Sequence, residues 1–456
     1  MPNASVLELI GHTPVVRVNN LDTGVCELYL KLESQNPGGS IKDRVGLSMI
    51  EAAERAGQLK PGGTIVEATA GNTGLGLALV AAQKGYRLIL VVPDKMSSEK
   101  VAHLQALGAE VRLTRSDVGK GHPAYYQDLA SSIAQATPGA FYIDQFNNPA
   151  NPLAHETGTA PELWDQLAHS VDAIVVGVGS SGTLTGLSRF FAKVSPSTEF
   201  VLADPKGSIL ADYVETGRFG EAGSWLVEGI GEDFVPPQAD LSRVARAFRI
   251  SDQESFETAQ LLLQREGLLA GSSSGTLVAA ALRYCREQKT PKRVVSFVCD
   301  SGNKYLSKMF SRDWMLDQGM VTLPKIANLT DLVPRRHDRG QSVTCSPDET
   351  LAVAYQRMRR FDVSQLPVLH NDEIIGIIDE WDLLMSVHGE TENFSLPVSK
   401  VMSGELQTLG PDARFEDLLH IFNEGLVALL VDNGHYLGLI TQADLLAFWR
   451  RQHAIR

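Results

Sequence analysis

The sequence predicts an α/β protein in which parallel sheets are covered by helices, followed by a smaller repeated module. From about residue 60 to 205, apolar runs typical of buried strands alternate with stretches typical of amphipathic helices. Near the C-terminus a weak internal repeat begins the same pattern at Gly376 and again at Gly438. The length of 456 residues is consistent with more than one domain, since about 150 residues per domain gives three domain-sized units.

The alternation can be followed along the chain. Strands are predicted at 64–68, 87–92, 173–176, 199–203 and 294–298, and helices at 75–80, 97–107, 184–191 and 277–286. The strands read as continuous apolar runs, so both of their faces are expected to be buried. Parallel strands with helical crossovers satisfy that requirement.

A domain boundary is predicted where the alternation fades near Gly319, because Pro324, Pro334 and the basic cluster 335–339 follow without any sustained period. We divide the chain into an α/β core of two subdomains, a linker and two repeat units: 1–320, 321–336, 337–390 and 391–456. Each repeat ends in the pattern G-h-h-[DT]-x-x-D-L-L, where h is apolar. Two such units in tandem usually pack as one module.

Composition excludes several classes of protein. The 41 lysines and arginines against 54 aspartates and glutamates give a net charge of −13, which opposes nucleic-acid binding. The four cysteines lack disulfide or zinc spacing, so each is expected to be a small buried apolar residue and no metal site is predicted. Without a signal peptide or an apolar run of about 18 residues, the protein is expected to be cytoplasmic with no membrane partner.

The string Gly177-Val-Gly-Ser-Ser-Gly182 follows a predicted strand and precedes a helix, as in a dinucleotide fingerprint, and Asp204 ends the next strand. A nicotinamide oxidoreductase is therefore one hypothesis. The same geometry can hold any phosphate, because backbone N–H groups at a helix start bind anions. A tight turn that binds nothing is the third possibility.

Lys42 lies in Ser40-Ile-Lys-Asp-Arg44, after the turn-rich 36–39. Ser40 and Asp43 have the spacing of a capping box, which would make this a helix start with Lys42 on the surface. Alternatively, the positive end of the helix lowers the pKa of Lys42, which could then form a Schiff base with a carbonyl cofactor.

A second predicted anion cradle, Thr69-Ala-Gly-Asn-Thr-Gly74, lies between a strand and a helix, and a serine-glycine cluster at 268–276 precedes another helix. Either could be a plain turn or cap. Two cradles and one lysine suit a cofactor with one phosphate and a substrate with one carboxylate. A dinucleotide needs no such lysine.

In this order the strings resemble the fold-type II pyridoxal-phosphate enzymes, the cysteine synthase and cystathionine β-synthase family, across roughly residues 3–318. The motifs that carry the resemblance are Thr13-Pro-Val, 36–44, 70–74, 97–100, 151–155 and 179–183. The C-terminal repeat resembles a pair of CBS domains, the Bateman module, over about 337–452.

The resemblance implies roles for individual residues. Lys42 would bind the pyridoxal 5′-phosphate and act as a proton-transfer base. Asn72 would bond the ring hydroxyl, and Ser273 would face the pyridine nitrogen, which favours β-replacement over transamination. The 5′-phosphate would be held by Gly179, Ser180, Ser181, Gly182 and Thr183, and the substrate carboxylate by Thr69, Ala70, Gly71, Thr73 and Gln145. The family often has serine at the position of Ala70 and tyrosine at that of Phe146.

Finer strings, 93–100, 228–234 and 304–310, are more similar to the family members that make cystathionine. The implied enzyme is a carbon–oxygen lyase in which L-serine loses its β-hydroxyl and L-homocysteine adds, with hydrogen sulfide formed when cysteine replaces serine. The alternative is an O-acetylserine-dependent cysteine or cystathionine synthase. Glu232 and Asp233 are assigned to the mouth that recognises the second substrate, or else to a surface loop.

In the repeat, Thr441 and Asp444 fit a pattern whose threonine and aspartate bind phosphate or ribose groups in the family. Asp379 stands at the corresponding threonine position of the first repeat, before Asp382, and should repel a polyphosphate. We therefore predict at most one adenosyl site, or a purely structural module. A nucleotide sensor with an inactive enzyme-like half is disfavoured because the site residues are intact. The resemblance also implies a homodimer or higher homo-oligomer, and no haem is expected because the chain begins about ten residues before Gly11.

Overall fold

The computed structural model describes residues 4–69, 71–94, 96, 98–119, 121–321 and 328–452. Their contacts divide the chain into two compact units, Met1–Ser311 and Arg312–Arg456.

The first unit confirms the predicted α/β architecture, and every strand and helix predicted in it overlaps an observed one. Its strands are β1 Val15–Arg17, β2 Glu27–Leu32, β3 Thr64–Ala68, β4 Arg87–Pro93, β5 Glu110–Thr114, β6 Ala140–Tyr142, β7 Ala173–Val176, β8 Glu199–Pro205, β9 Val244–Ile250 and β10 Arg293–Val298. Its helices are α1 Lys42–Arg55, α2 Asn72–Lys84, α3 Ser98–Ala106, α4 Tyr126–Ala136, α5 Ala150–Ala154, α6 Ala160–Gln166, α7 Gly182–Val194, α8 Leu210–Thr216, α9 Asp252–Leu261 and α10 Ser272–Arg286.

The strands form two sheets rather than one. The larger sheet has the order β1-β2-β10-β7-β8-β9 and the smaller has the order β5-β4-β3-β6. All neighbouring strands are parallel except β1, which pairs antiparallel with β2. All four residues of β7 are buried, because helices cover both faces of the larger sheet.

Helix α1 packs directly on α2 because both carry a glycine at the contact. A Cβ on Gly76 would lie 2.5 Å from the carbonyl oxygen of Lys42, and one on Gly46 would lie 2.7 Å from the carbonyl carbon of Gly76. The start of α1, which includes Lys42, is therefore held against α2, the helix that follows β3 of the smaller sheet.

The contact between α9 and α10 gives a stability prediction. A Cβ on Gly275 would lie 1.9 Å from the carbonyl oxygen of Ser255, a backbone atom that cannot rotate away. Gly275→Ala is expected to destabilise the protein by about 1–3 kcal/mol, although alanine is favoured over glycine in helices by about 1 kcal/mol. A lower urea midpoint would show this. Gly119→Ala, whose Cβ would have nothing within 4 Å, is the control; an equal midpoint for both variants would contradict the close contact.

The second unit contains the two predicted repeats. Its elements are α11 Arg312–Asp317, α12 Leu351–Phe361, β11 Gln365–His370, β12 Glu373–Asp379, α13 Glu380–Val387, β13 Thr408–Leu409, α14 Phe415–Asn423, β14 Ala428–Asp432, β15 His435–Ile440 and α15 Gln442–Gln452. In each repeat an antiparallel hairpin lies between two helices. β13 runs parallel to β14, and a single parallel bridge between Cys345 and Val368 takes its place in the first repeat.

The glycine that begins the shared pattern has the same role in both repeats. A Cβ on Gly376 would lie 2.6 Å from Met402 Sδ, and one on Gly438 would lie 2.2 Å from Val333 Cγ1. Each glycine thus leaves room for an apolar side chain from a neighbouring segment. This contact explains why both copies of the pattern begin with glycine.

Part of the predicted linker 321–336 lies in the core of the second repeat. Leu329, Leu332 and Val333 are buried there against α14, β14 and β15. Residues 322–327, which include Pro324, lie outside the described residues. In the described ranges of both units, no helix is long and apolar enough to cross a bilayer.

Candidate active site

A cavity of about 620 Å³ opens in the first unit at the carboxyl ends of β3, β7 and β10. Ala68, Val176 and Phe297, from the ends of these strands, line it. Ligands bind at this edge of parallel sheets because loops and helix N-termini converge there. Helices α1, α2, α7 and α10 all begin beside this cavity.

Lys42, the first residue of α1, lines the cavity. Burial lowers the pKa of its amine, although Cys299 and Glu232 oppose the shift. The surface alternative for this lysine therefore does not hold. The capping-box expectation is also wrong, because the Asp43 carboxyl group accepts the N–H of Gly38 and the Ser40 hydroxyl accepts the N–H of Lys42 instead of that of Asp43.

Asn72 is held in one orientation by residues that follow β10. Its Nδ2 donates to Asp300 Oδ2 at 2.8 Å, and Lys304 Nζ donates to its Oδ1 at 2.8 Å. Tyr305 donates its hydroxyl to the same Asp300 oxygen at 2.7 Å. Asp300 is fully buried, and sequence reasoning missed it. The one available signal was an acidic residue two positions after a buried strand.

The Gly179–Thr183 loop fits only because two of its residues are glycines. A Cβ on Gly179 would lie 2.6 Å from Gly229 O, and one on Gly182 would lie 1.9 Å from Asn151 Oδ1. Ser181 has a left-handed backbone (φ +67°) and precedes α7, whose first N–H groups have no acceptor within the helix. The loop is therefore a ready cradle for an anion.

Three of the five predicted phosphate residues line the cavity: Gly179, Ser180 and Thr183. The other two do not, since the Ser181 hydroxyl lies 3.1 Å from that of Thr185 and Gly182 packs on Asn151. Ser181 and Gly182 could therefore bind a phosphate only through their backbone groups at the start of α7.

The predicted carboxylate loop lies across the cavity, at the start of α2. Thr69, Gly71, Thr73 and Gln145 all line the wall, and Thr73 Oγ1 donates to Gln145 Oε1 at 2.8 Å. A Cβ on Gly71 would meet nothing within 4 Å, so open space adjoins this position. Ala70 lies outside the described residues.

Glu67, which was not predicted, holds the backbone at Gln145. Its carboxyl accepts the N–H of Asp144 at 2.8 Å and that of Gln145 at 3.4 Å. Burial raises its pKa to about 8 despite these bonds. Glu67 therefore positions Gln145 through its backbone. The two residues are far apart in the sequence, so no local pattern predicts this role.

His155, the last residue of the 151–155 motif, is a third residue whose role was missed. Its Nδ1 lies 2.9 Å from Thr159 Oγ1, and its Nε2 lies 3.3 Å from Thr183 Oγ1. Burial, followed by the positive charges of Lys42 and Arg44, places its pKa well below the usual value. A neutral imidazole therefore fixes the Thr183 hydroxyl.

Ser273 and Cys299 lie beside each other on the wall near Lys42. Burial raises the pKa of the Cys299 thiol to about 12, although Lys42 and a hydrogen bond with Ser273 oppose the shift. Cys26, Cys285 and Cys345 are buried as expected, whereas Cys299 lines the cavity. Among the described residues, no group of three or more metal-binding side chains could hold an ion.

An ion cluster joins α3 to residues 223–232, a loop that lines the cavity. Glu228 accepts from Lys308 Nζ at 2.7 Å and also from Lys100, whose amine lies 4.9 Å from the centre of the Tyr305 ring. Burial raises the pKa of Glu228, but the two lysines outweigh that effect and lower it. Glu228 is therefore a carboxylate.

The two acidic residues predicted at the mouth separate in the structure. Glu232 lines the cavity, whereas Asp233 is exposed and is not part of the wall. The aromatic ring of Phe146, another wall residue, lies 5.6 Å from that of Phe234. Only the first of the two acids can therefore act on a ligand in the cavity as the structure stands.

In the second unit, Thr441 and Asp444 bond to each other at the start of α15. Thr441 Oγ1 donates to Asp444 Oδ2 at 2.7 Å, and the Asp444 N–H donates back to Thr441 Oγ1 at 3.2 Å. Asp379 and Asp382 form the equivalent capping box at the start of α13. The two repeats thus share this geometry, but the first has the acidic Asp379 where the second has the neutral Thr441.

Comparison with known proteins defines the class to which this fold and site belong. Residues 6–300 match the pyridoxal-phosphate-dependent enzymes, and 336–389 and 398–451 each match the CBS domain. The cystathionine β-synthase of Rattus norvegicus is 38% identical over 442 residues, which cover 93% of this chain and 77% of the rat protein. That of Dictyostelium discoideum is 35% identical over 459 residues, which cover 97% of this chain and 92% of that protein.

Among solved structures, the O-acetylserine-dependent cystathionine β-synthase of Helicobacter pylori is similar to the first unit. It has a TM-score of 0.63 and 36% identity, and the match covers 68% of this chain and 98% of that one. The chain therefore belongs to the cystathionine β-synthase family of pyridoxal-phosphate-dependent enzymes, as its motifs predict.

Proposed function

We propose that this protein condenses L-serine with L-homocysteine to form L-cystathionine, and that it releases hydrogen sulfide when cysteine replaces serine. The observation that carries the proposal is the amine of Lys42, which has a lowered pKa and faces a cavity flanked by the N-termini of α2 and α7. A reactive amine between two anion cradles suits a phosphorylated aldehyde cofactor and an amino-acid substrate.

The residues of the cavity fit pyridoxal 5′-phosphate. The glycine-dependent Gly179–Thr183 loop would hold the phosphate, Asn72 the ring hydroxyl and Ser273 the ring nitrogen. The bound cofactor supplies an electron sink for the negative charge that develops at the substrate Cα. A serine hydroxyl at the ring nitrogen limits that sink, which favours elimination and addition at Cβ.

Lys42 would take the proton from Cα once the substrate has displaced it from the cofactor. Because burial lowers its pKa, a larger fraction of its amine is neutral near pH 7 and able to accept a proton. Its position at the start of α1, fixed by the contact of α1 with α2, keeps the amine at the cavity.

The start of α2 would bind the substrate carboxylate. Thr69, Gly71, Thr73 and Gln145 present hydroxyl, amide and backbone groups on the same wall. The hydrogen bond of Thr73 to Gln145 and the support of Gln145 by Glu67 pre-organise this wall.

The alternative is an O-acetylserine-dependent synthase, and the Helicobacter pylori structure gives it a specific basis. Matches to the rat and Dictyostelium enzymes extend over nearly the whole chain, whereas that structure matches only the first unit. The rat and Dictyostelium enzymes therefore share the second unit as well, and we keep serine as the proposed first substrate. For the second unit we propose at most one adenosyl site, at Thr441 and Asp444, and for the whole protein a homodimer or higher homo-oligomer.

Titration of the cofactor-loaded protein with L-serine tests the proposed function. L-Serine is expected to displace the visible absorption band of the bound cofactor, and subsequent L-homocysteine should restore the band as cystathionine appears by mass spectrometry. O-Acetyl-L-serine is the matched comparison. If only the acetylated substrate changes the band, the protein needs a better leaving group than hydroxide, and the alternative replaces our proposal.

A further inference from the structure

The cavity contains an acidic side chain for which the proposed steps have no use. Glu232 lies on the loop that forms the wall from Gly223 onward, and this wall also contains Lys42 and Gly179. Its Oε1 lies 3.9 Å from the position that a Cβ on Gly179 would take. The carboxyl group is thus beside the phosphate loop, within the volume where cofactor and substrate would meet.

We propose that Glu232 is a catalytic acid that protonates the β-oxygen of bound serine as its Cβ–O bond breaks. This inference rests on the proposed function. The bonding electrons go to the oxygen, which takes the proton of the carboxyl group and leaves as water. Homocysteine adds as its thiolate after its proton has gone to solvent, and the Glu232 carboxylate regains a proton from solvent. The acid is regenerated within one turnover, and no further reactant is needed.

The backbone of Glu232 is fixed on both sides of its Cα. Ser208 Oγ accepts the Glu232 N–H at 3.1 Å and donates to the Glu232 carbonyl at 3.1 Å, while the Ile209 N–H donates to the same carbonyl at 3.0 Å. Within the described ranges no side-chain hydrogen bond uses the Glu232 carboxyl group. That group is therefore anchored but free to bond a substrate.

The surroundings favour the protonated form of this carboxyl group near neutral pH. Burial is the main cause that raises its pKa to about 8, Asp233 and Asp204 add to the shift, and Lys42 opposes it. Tyr125 and Tyr126 are the other titratable groups that interact with it. A carboxylic acid kept neutral by its environment has a proton to donate where an ordinary glutamate has none.

The chemistry of the leaving group explains why such an acid matters. Hydroxide leaves carbon poorly unless it is protonated, and a positioned acid contributes about 10²–10⁴-fold to such a step. Chloride leaves without a proton. A substrate such as β-chloro-L-alanine therefore bypasses Glu232 but still needs the cofactor, Lys42 and the carboxylate loop.

The test is Glu232→Gln in the cofactor-loaded full chain, assayed with homocysteine and either L-serine or β-chloro-L-alanine. We expect kcat with serine to fall about 10²-fold or more, while kcat with the chloro substrate stays within about threefold. Glu221→Gln makes the same carboxyl-to-amide change at an exposed side chain just before the loop and should change neither rate.

Other outcomes separate this inference from the function on which it rests. Equal rates of wild type and Glu232→Gln with serine would overturn the acid role while leaving the serine reaction in place. Equal losses with both substrates would also overturn it, since they indicate a binding or structural role. A wild-type protein that uses β-chloro-L-alanine but not serine would instead overturn the proposed function.

Discussion

Replacement of Lys42 by alanine is expected to abolish β-replacement, with kcat lowered by about 10³-fold or more, and to remove the absorption of the cofactor–lysine linkage. The physical reason is that Lys42 is the amine assigned to both cofactor attachment and proton transfer at Cα. Two other lysines of the wall, Lys100 and Lys308, are engaged by Glu228 and cannot replace it without breaking that ion cluster.

The assay would compare steady-state turnover, the visible spectrum and the unfolding temperature of wild type and variant. Lys60→Ala, a loss of the same side chain at an exposed position, is the control and should leave all three unchanged. Partial recovery of the Lys42→Ala variant by added methylamine would support a role in proton transfer. Retained turnover without any amine would contradict the assignment.

The α/β architecture was predictable because five strands, β3, β4, β7, β8 and β10, are mainly apolar runs. Charged residues interrupt β2, β5 and β9, and these strands were not predicted. The run at 173–176 coincides with β7, and that at 64–68 coincides with β3. The division into two sheets could not be predicted, because an apolar run of valine and isoleucine does not show which other strand it pairs with. The order β2-β10-β7 joins segments far apart in the chain, and only packing decides that order.

In the candidate site, too, features with a local sequence pattern were predictable, whereas contacts between distant segments were not. Glycine-rich turns such as 177–182 have a local signature, so the anion cradles were predictable. Asp300 and Glu67 were not, because each supports a site residue from a distant segment, and no local pattern pairs Asn72 with Asp300. The expected capping box failed for a different, local reason: the Gly38 N–H, five residues away, donates to the Asp43 carboxyl group that the box requires.

A buried ion cluster next to Lys42 gives the second large expected effect. Arg44 Nε donates to Glu33 Oε2 at 2.8 Å, and its Nη2 donates to Glu162 Oε2 at 2.7 Å. Lys31 Nζ lies 2.9 Å from the same Glu162 oxygen, and none of these four side chains is more than 13% exposed. Arg44→Met is expected to destabilise the protein by about 3–5 kcal/mol, because it leaves buried carboxylates without their main partner.

Chemical denaturation of wild type and Arg44→Met at neutral pH measures this cost. Arg55→Met is the matched control, since Arg55 lies 3.7 Å from Glu51 with both side chains well exposed, and such pairs contribute about 0–1 kcal/mol. Arginine and methionine have similar helix propensities, so neither change is expected to weaken α1 by itself.

The pH dependence separates lost charge pairing from lost packing. Burial raises the pKa of Glu162, but Arg44 and Lys31 outweigh that effect and lower it to about 2. The stabilisation by this carboxylate is therefore fully present above the unfolded pKa of about 4.3 and is lost as pH falls towards about 2. The gap in stability between wild type and Arg44→Met should consequently narrow as pH falls from about 5 to about 3. A gap that stays constant over this range would assign the cost to the packing of the arginine stem, and α1 would then be anchored beneath Lys42 by shape and not by charge.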